Sequence, residues 1–201
     1  TLAATQLQLA QPEKLLQLFS PEDREHIKSP ELKMLVGIAL LQTGSIIDGE
    51  KLVKAAQASQ PDNPALLATL ARHYLASAQP EKAVATLEPI AKKQNDGNLS
   101  RLLIAAYAMN GNSDKALATA RDLANSTPAK SENWWILGRT ALQLQKPDVA
   151  ESALQKSLAK AKPEQRGSVN LLIGVAQMGA ERFDDAERAF KAAQNDDKVR
   201  R

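Results

Sequence analysis

Residues Ser131 to Pro163 read SENWWILGRTALQLQKPDVAESALQKSLAKAKP. The apolar residues fall into two helical periods separated by a short polar turn. Trp134-x2-Leu137-Gly138 marks the first period, Ala150-x3-Leu154 the second, and Pro163 follows. A helix pair of this size cannot bury its apolar face alone, so further pairs must stack on it. Ala150 marks the phase at which two helices of a pair pack closest and a small side chain is needed. The same phase recurs at Leu15 in AQPEKLLQLF, Gly49 in IIDGEKLV, Ala83 in AQPEKAVATL, Ala116 in GNSDKALATA and Ala186 in FDDAERAF. From Leu15 to Ala186 the intervals are 34, 34, 33, 34 and 36 residues.

The punctuation keeps the same period. Ala10-Gln-Pro-Glu-Lys14 recurs as Ala78-Gln-Pro-Glu-Lys82, two periods later. Pro12, Pro80 and Pro147 share one phase, at the start of each second helix, where a missing N–H costs nothing. Gly44 and Gly111 sit two positions earlier in phase, where the chain turns. These marks divide the chain into five units, 30–63, 64–96, 97–130, 131–166 and 167–201. Residues 1–29 are an incomplete leading repeat and connector. In it, Leu2 to Leu9 are the remnant of a first helix, Pro12 to Phe19 are the second, and Ser20 to Ser29 form a polar connector with one helical turn. Ser29-Pro30-Glu31 starts a fresh helix with a serine cap. Pro163 to Arg166 read as a slightly longer junction before the last unit.

The spacing W-x2-L-G, then A-x3-L, then Pro, repeated about every 34 residues, resembles the tetratricopeptide (TPR) repeat family over residues 30–193. The resemblance implies an all-α fold, a right-handed α-solenoid of helix-turn-helix repeats. More narrowly, LEPIAKK, LLIAAYAMNGNSDKALATARDLANSTP and WILGRTALQLQKPDVAESALQKSL resemble the TPR lipoproteins of bacterial exosortase/PEP-CTERM systems. That implies a periplasm-facing piece of a longer exported chain, linked to exopolysaccharide and protein sorting. A cytoplasmic TPR protein is the alternative, since such proteins share the same packing residues.

The composition excludes several other functions. The chain has 201 residues, 43% hydrophobic and 24% charged, and a net charge of +3 with its basic and acidic residues interspersed. Without a concentrated basic stripe, no nucleic-acid partner is expected. No apolar run is long enough for a membrane helix, so no insertion of this segment is expected. There is no cysteine. No nucleophile elbow, phosphate loop, dinucleotide fingerprint or zinc signature occurs, so neither an enzyme nor a cofactor or metal is expected. His26 reads as connector surface, His73 as helix surface, and the acid pairs Asp184-Asp185 and Asp196-Asp197 as solvated.

Binding by shape remains, with a protein or peptide segment as partner. The family resemblance puts repeat positions 2, 5, 9, 12 and 13 of each first helix on a concave face. These are Glu31, Met34, Ile38, Leu41 and Gln42; Ala65, Ala68, Arg72, Leu75 and Ala76; Asn98, Arg101, Ala105, Ala108 and Met109; Glu132, Trp135, Arg139, Leu142 and Gln143; and Ser168, Leu171, Val175, Met178 and Gly179. Trp134 matches the core position and Trp135 the groove. The candidate peptide-binding residues are Arg72, Arg101, Met109, Trp135, Arg139 and Leu142, a set suited to a segment with acidic groups. The family's carboxylate clamp, Lys at position 5 with Asn at position 9, occurs in no unit, which weakens a chaperone-adaptor reading. Both ends stop abruptly, with no full leading helix and no polar capping helix after residue 193. The ends are therefore expected to continue in a longer chain, to be covered by a partner or to self-associate, and a spacer or self-association module is the alternative function.

Overall fold

The computed structural model describes residues 11–94, 96–126, 128 and 130–198. Among these residues are twelve α-helices and no strand. They are α1 (Pro12–Gln17), α2 (Pro21–Glu25), α3 (Pro30–Gln42), α4 (Ile46–Ser59), α5 (Pro64–Ala76), α6 (Pro80–Gln94), α7 (Gly97–Met109), α8 (Ser113–Asn125), α9 (Ser131–Gln143), α10 (Pro147–Lys160), α11 (Pro163–Gly179) and α12 (Phe183–Lys198). The expected helix remnant over Leu2 to Leu9 lies outside the described residues. The chain forms two compact units, divided between Leu102 and Leu103 within α7.

The turns inside the helix pairs are one motif used five times. Each places a residue in the left-handed region: Gly44 at φ 89°, Ala78 at 53°, Gly111 at 74°, Gln145 at 54° and Glu181 at 60°. The next amide donates to the carbonyl five residues back, Ser45 to Leu40, Gln79 to Tyr74, Asn112 to Tyr107, Lys146 to Ala141 and Arg182 to Gln177, at 2.8 to 2.9 Å. This is the Schellman closure, which satisfies carbonyls that a helix end leaves without partners. Proline then occupies the first position of α6 and α10, as its phase required.

Three first helices, α3, α5 and α7, are capped by a side chain just before them. The Ser29 hydroxyl accepts from the Leu32 amide, the Asn63 side chain from the Ala65 and Leu66 amides, and Asp96 from the Asn98 and Leu99 amides. α11 begins at Pro163, not after a junction over Pro163 to Arg166. Pro163 supplies the first helical position, and the Gln165 side chain accepts from the Lys162 amide at 3.1 Å, so the extra residues lengthen the helix.

In the unit up to Leu102, α3 is the central helix. It packs on α1, α4 and α5, which explains why its sequence PELKMLVGIALLQ has almost no polar stripe. Val36 and Leu40 join Ile27 and Leu52 on one side, with Leu16 and Phe19 of the leading segment against them. Met34 and Ile38 join Val53, Ala56, Leu66 and Leu70 on the other. The short α2 folds back on α1, and Arg24 donates to the carbonyls of Leu16 and Phe19, both at 3.1 Å. Its Ser20 and Asp23 form a reciprocal capping box, so the polar connector does contain its one helical turn.

In the unit from Leu103, one core runs through α8 to α11 and includes Leu117, Leu123, Leu137, Leu154, Val169 and Ile173. Polar side chains join neighbouring helices. Asn133 donates to the Leu123 carbonyl at 3.1 Å. The Ser131 and Ser157 hydroxyls each donate to the other residue's carbonyl at 2.9 Å. Gln177 donates to Glu151 at 2.7 Å, and Arg182 pairs with the same carboxylate.

The turn geometry makes a prediction. A left-handed non-glycine residue costs about 1–2 kcal/mol, and the greater freedom of an unfolded glycine returns about 0.4–1 kcal/mol of that. Gln145→Gly should therefore raise stability by roughly 0.5–1 kcal/mol in urea unfolding, and Gly111→Ala should lower it by a similar amount. A less stable Gln145→Gly would contradict the shared turn geometry.

Candidate functional site

The tandem tryptophans of α9 lie about 100° apart around the helix, and each carries its own cation. Both are half-buried against the core of their unit. The Trp135 ring lies 5.3 Å from the guanidinium of Arg139, one helical turn on, and Arg139 is exposed. The Trp134 ring lies 4.5 Å from the Lys156 ammonium of α10. Trp134 therefore packs at the core margin, less deeply than its repeat position led us to expect, because the cleft that holds it also admits Arg121, Asn125 and Lys156. Cation–π contacts at such sites contribute about 0.5–1 kcal/mol, enough to orient Arg139 along the indole without sequestering it. Leu142 continues the face from Trp135 and is half-buried, and Met109 at the end of α7 is 53% exposed.

In the first unit Arg72 is exposed on α5 and donates to the Asn98 side chain at 3.4 Å, and Arg101 is half-buried on α7. Three positions expected on the concave face are instead interior. Met34 and Ile38 are fully covered, and Ala68 is 1% exposed. The cause is stacking between neighbouring pairs: Met34 and Ile38 of α3 receive Leu66 and Leu70 of α5. Positions 5 and 9 thus face the next first helix there, and Arg72 stays out because its charge cannot follow.

His73, expected on the surface, is buried at 8% exposure. It continues the buried stripe of Leu66 and Leu70 by one further turn, so the helical register takes it inward despite its polarity. Its Nδ1 has no hydrogen-bond partner. The imidazole lies 5.8 Å from the Tyr74 ring, whose other neighbour is Lys82 at 5.7 Å. A cleft of about 600 Å³ opens beside it, lined also by Glu50, Lys54 and Gln57. The tyrosine–lysine pairing repeats in the second unit, where Lys115 lies 5.3 Å from the Tyr107 ring. Each lysine immediately precedes the small residue of its second helix, a regularity visible in EKA and DKA but unread as an interaction. Among the described residues no group of three or more His, Cys, Asp or Glu could hold a metal ion, and no helix is long and apolar enough to cross a membrane.

Comparison with known proteins agrees with the all-helical repeat fold. Two tetratricopeptide repeat family profiles match, over residues 40–103 and 137–198. A tetratricopeptide repeat protein 21 homolog of Caenorhabditis briggsae is 27% identical over 157 residues, which are 76% of this chain and 12% of that protein. The chain therefore spans about an eighth of that relative's length. Among solved structures, MamA of Desulfovibrio magneticus aligns with a TM-score of 0.65 at 15% identity, over 86% of this chain and 97% of that one. A thermophilic TPR protein of Thermus thermophilus aligns with a TM-score of 0.54 at 20% identity, over 86% and 95%. At these identities the structures share the fold.

Burial, and secondarily the Lys82 ammonium, hold the His73 pKa below its ordinary 6.5. The folded state then binds this proton less readily than the unfolded chain, so the stabilisation is complete above pH 6.5 and is lost as pH falls through that value towards the depressed folded pKa. The exposed carboxylates Asp23, Glu31 and Glu187 are held below ordinary values of 3.8 to 4.5 and titrate at lower pH. Urea midpoints should fall between neutral pH and about pH 5 in the native chain, and His73→Gln should flatten that fall. An equal pH dependence in both would place His73 in water.

Proposed function

Because the chain belongs to the tetratricopeptide repeat family, we propose that it is a non-enzymatic scaffold that binds a segment of a partner protein in the groove along its first-helix faces. The observation that carries this reading is the Trp135–Arg139 pair, a half-buried indole with an exposed guanidinium stacked on it. Tryptophan and arginine together give apolar area and bidentate recognition of carboxylates, the combination that dominates binding energies at interfaces. Leu142 and Met109 add apolar contact within the same unit, while Arg72 and Arg101 offer positive charge on the first helices of their own unit. The ligand is an extended or helical peptide with acidic groups beside apolar ones.

The setting we propose is a bacterial envelope assembly, periplasm-facing and concerned with exopolysaccharide or protein sorting. Its support is the resemblance of LEPIAKK and the α7–α10 sequences to the exosortase/PEP-CTERM repeat lipoproteins.

Fluorescence anisotropy with a panel of labelled acidic, leucine-containing peptides tests the binding reading. Trp135→Ala should weaken the best binder by about 2 kcal/mol, roughly thirtyfold in Kd. Arg139→Lys should weaken it less than Arg139→Ala, because lysine keeps the charge but loses the planar stack. Affinity should fall with added salt. Binding that ignores all three substitutions would remove the face from the account.

A further inference from the structure

His73 departs from the repeat that surrounds it. The same phase holds Ala39, Ala106, Thr140 and Ala176, all small and at most 4% exposed. The stacking of helix pairs therefore asks for a small residue here, and the imidazole is an addition to it. It is buried, and its Nδ1 has no hydrogen-bond partner within the protein. Buried polar atoms are normally paired, so one without a partner asks for a cause. The ring lines the cleft of about 600 Å³, whose walls come from α3, α4, the end of α5 and the start of α6. That volume falls in the range of small-molecule sites. The turn between α7 and α8 repeats the tyrosine–lysine pair, as Tyr107 and Lys115, with Ala106 in the place of His73.

The lining of the cleft indicates what it would hold. Leu41, Ile46 and Val53 make an apolar wall, and Ile46 is 52% exposed. The charged groups are Glu50, Lys54 and Lys82. Glu50 and Lys54 pair with each other at 3.1 Å. Among the described residues no carboxylate pairs with Lys82, whose ammonium lies 5.7 Å from the Tyr74 ring. A cation would meet two lysines with the glutamate already engaged, so the balance of charge favours an anion. The apolar wall favours one with a carbon body. We propose that this cleft binds a small organic carboxylate, its acid group received by Lys82 and the His73 imidazole and its body against Leu41, Ile46 and Val53. Burial and the Lys82 ammonium both disfavour the charged imidazole. A bound carboxylate offsets the second influence, so binding is coupled to proton uptake. The titratable and charged groups around the ring are Tyr74 of α5, Lys82 of α6, and Glu50 and Lys54 of α4; α3 contributes Leu41 and Gln42, which are uncharged. Those two are the only lining residues shared with the expected concave face, and none of the candidate peptide-binding residues lines the cleft. The site therefore stands apart from the peptide-binding reading.

NMR of the histidine rings in the 201-residue chain tests it, since the chain has two histidines and the exposed His26 serves as a control. The probes are benzoate and hexanoate. At least one should shift the His73 resonances saturably and raise the His73 pKa, leaving His26 unchanged. The neutral amides of the same shape, benzamide and hexanamide, should need at least about tenfold higher concentration. Affinity for the acid should increase as pH falls from about 7.5 to about 6, where the imidazole begins to take up its proton. Lys82→Gln, at an exposed position on α6, should weaken the acid by about fivefold or more. Lys115→Gln, which removes the equivalent lysine of the other unit, should leave it unchanged. A His73 signal unmoved by either acid, an equal response to the amides, or an equal loss in the two lysine variants would overturn the inference.

Discussion

The fold depends on the closeness with which the two helices of a pair can cross. At Gly37 a Cβ would lie 3.0 Å from the Gly49 carbonyl oxygen, and at Gly49 a Cβ would lie 2.8 Å from that of Gly37. At Gly138 it would meet Leu154 Cγ at 2.5 Å, and at Gly174 it would strike the Phe190 ring. Ala83, Ala116, Ala150 and Ala186 hold the same crossing in the other pairs, each at most 2% exposed. Once backbones approach this closely, large residues one turn away interlock across the pair, and the exposed faces are fixed as a consequence. The 33- to 36-residue interval is thus a mechanical repeat, set by helix length plus one closed turn.

That origin explains why the repeat was legible in the sequence. A small residue at the crossing, a left-handed turn residue five positions earlier and a proline between them cannot be exchanged freely, so they recur. Glycine signals the turn at Gly44 and Gly111. Ala78, Gln145 and Glu181 adopt the same conformation without any such signal, because the closing hydrogen bonds enforce it. The start of α11 was misread for a related reason: Pro163 serves equally as the end of one element and the first residue of the next.

The candidate site was less legible. Which side of a first helix meets its neighbour depends on how pairs stack, and composition alone does not carry that. Met34 and Ile38 were therefore placed in a groove when they are core, and His73 was placed at the surface when its register draws it inside. The assignment of Trp135 rested on its 100° step from Trp134, which helix geometry guarantees; what was not foreseen is that both rings stay half-buried, each with a cation. Residues that make the scaffold recur and can be read. Residues that would choose a partner, such as the tandem Trp134–Trp135 pair, occur once, and only their surroundings give them meaning.

The crossing constraint is tested most directly by comparing two substitutions in unfolding experiments. Ala150 is wholly buried at a crossing, while Ala118 on α8 is exposed. Leucine has a higher helix propensity than most residues, so neither change harms the helix itself. Ala150→Leu should cost about 1–3 kcal/mol by overpacking, and Ala118→Leu should stay within about 0.5 kcal/mol of the native chain. Equal stability of the two variants would contradict the claim that the small-residue crossing holds the repeat together.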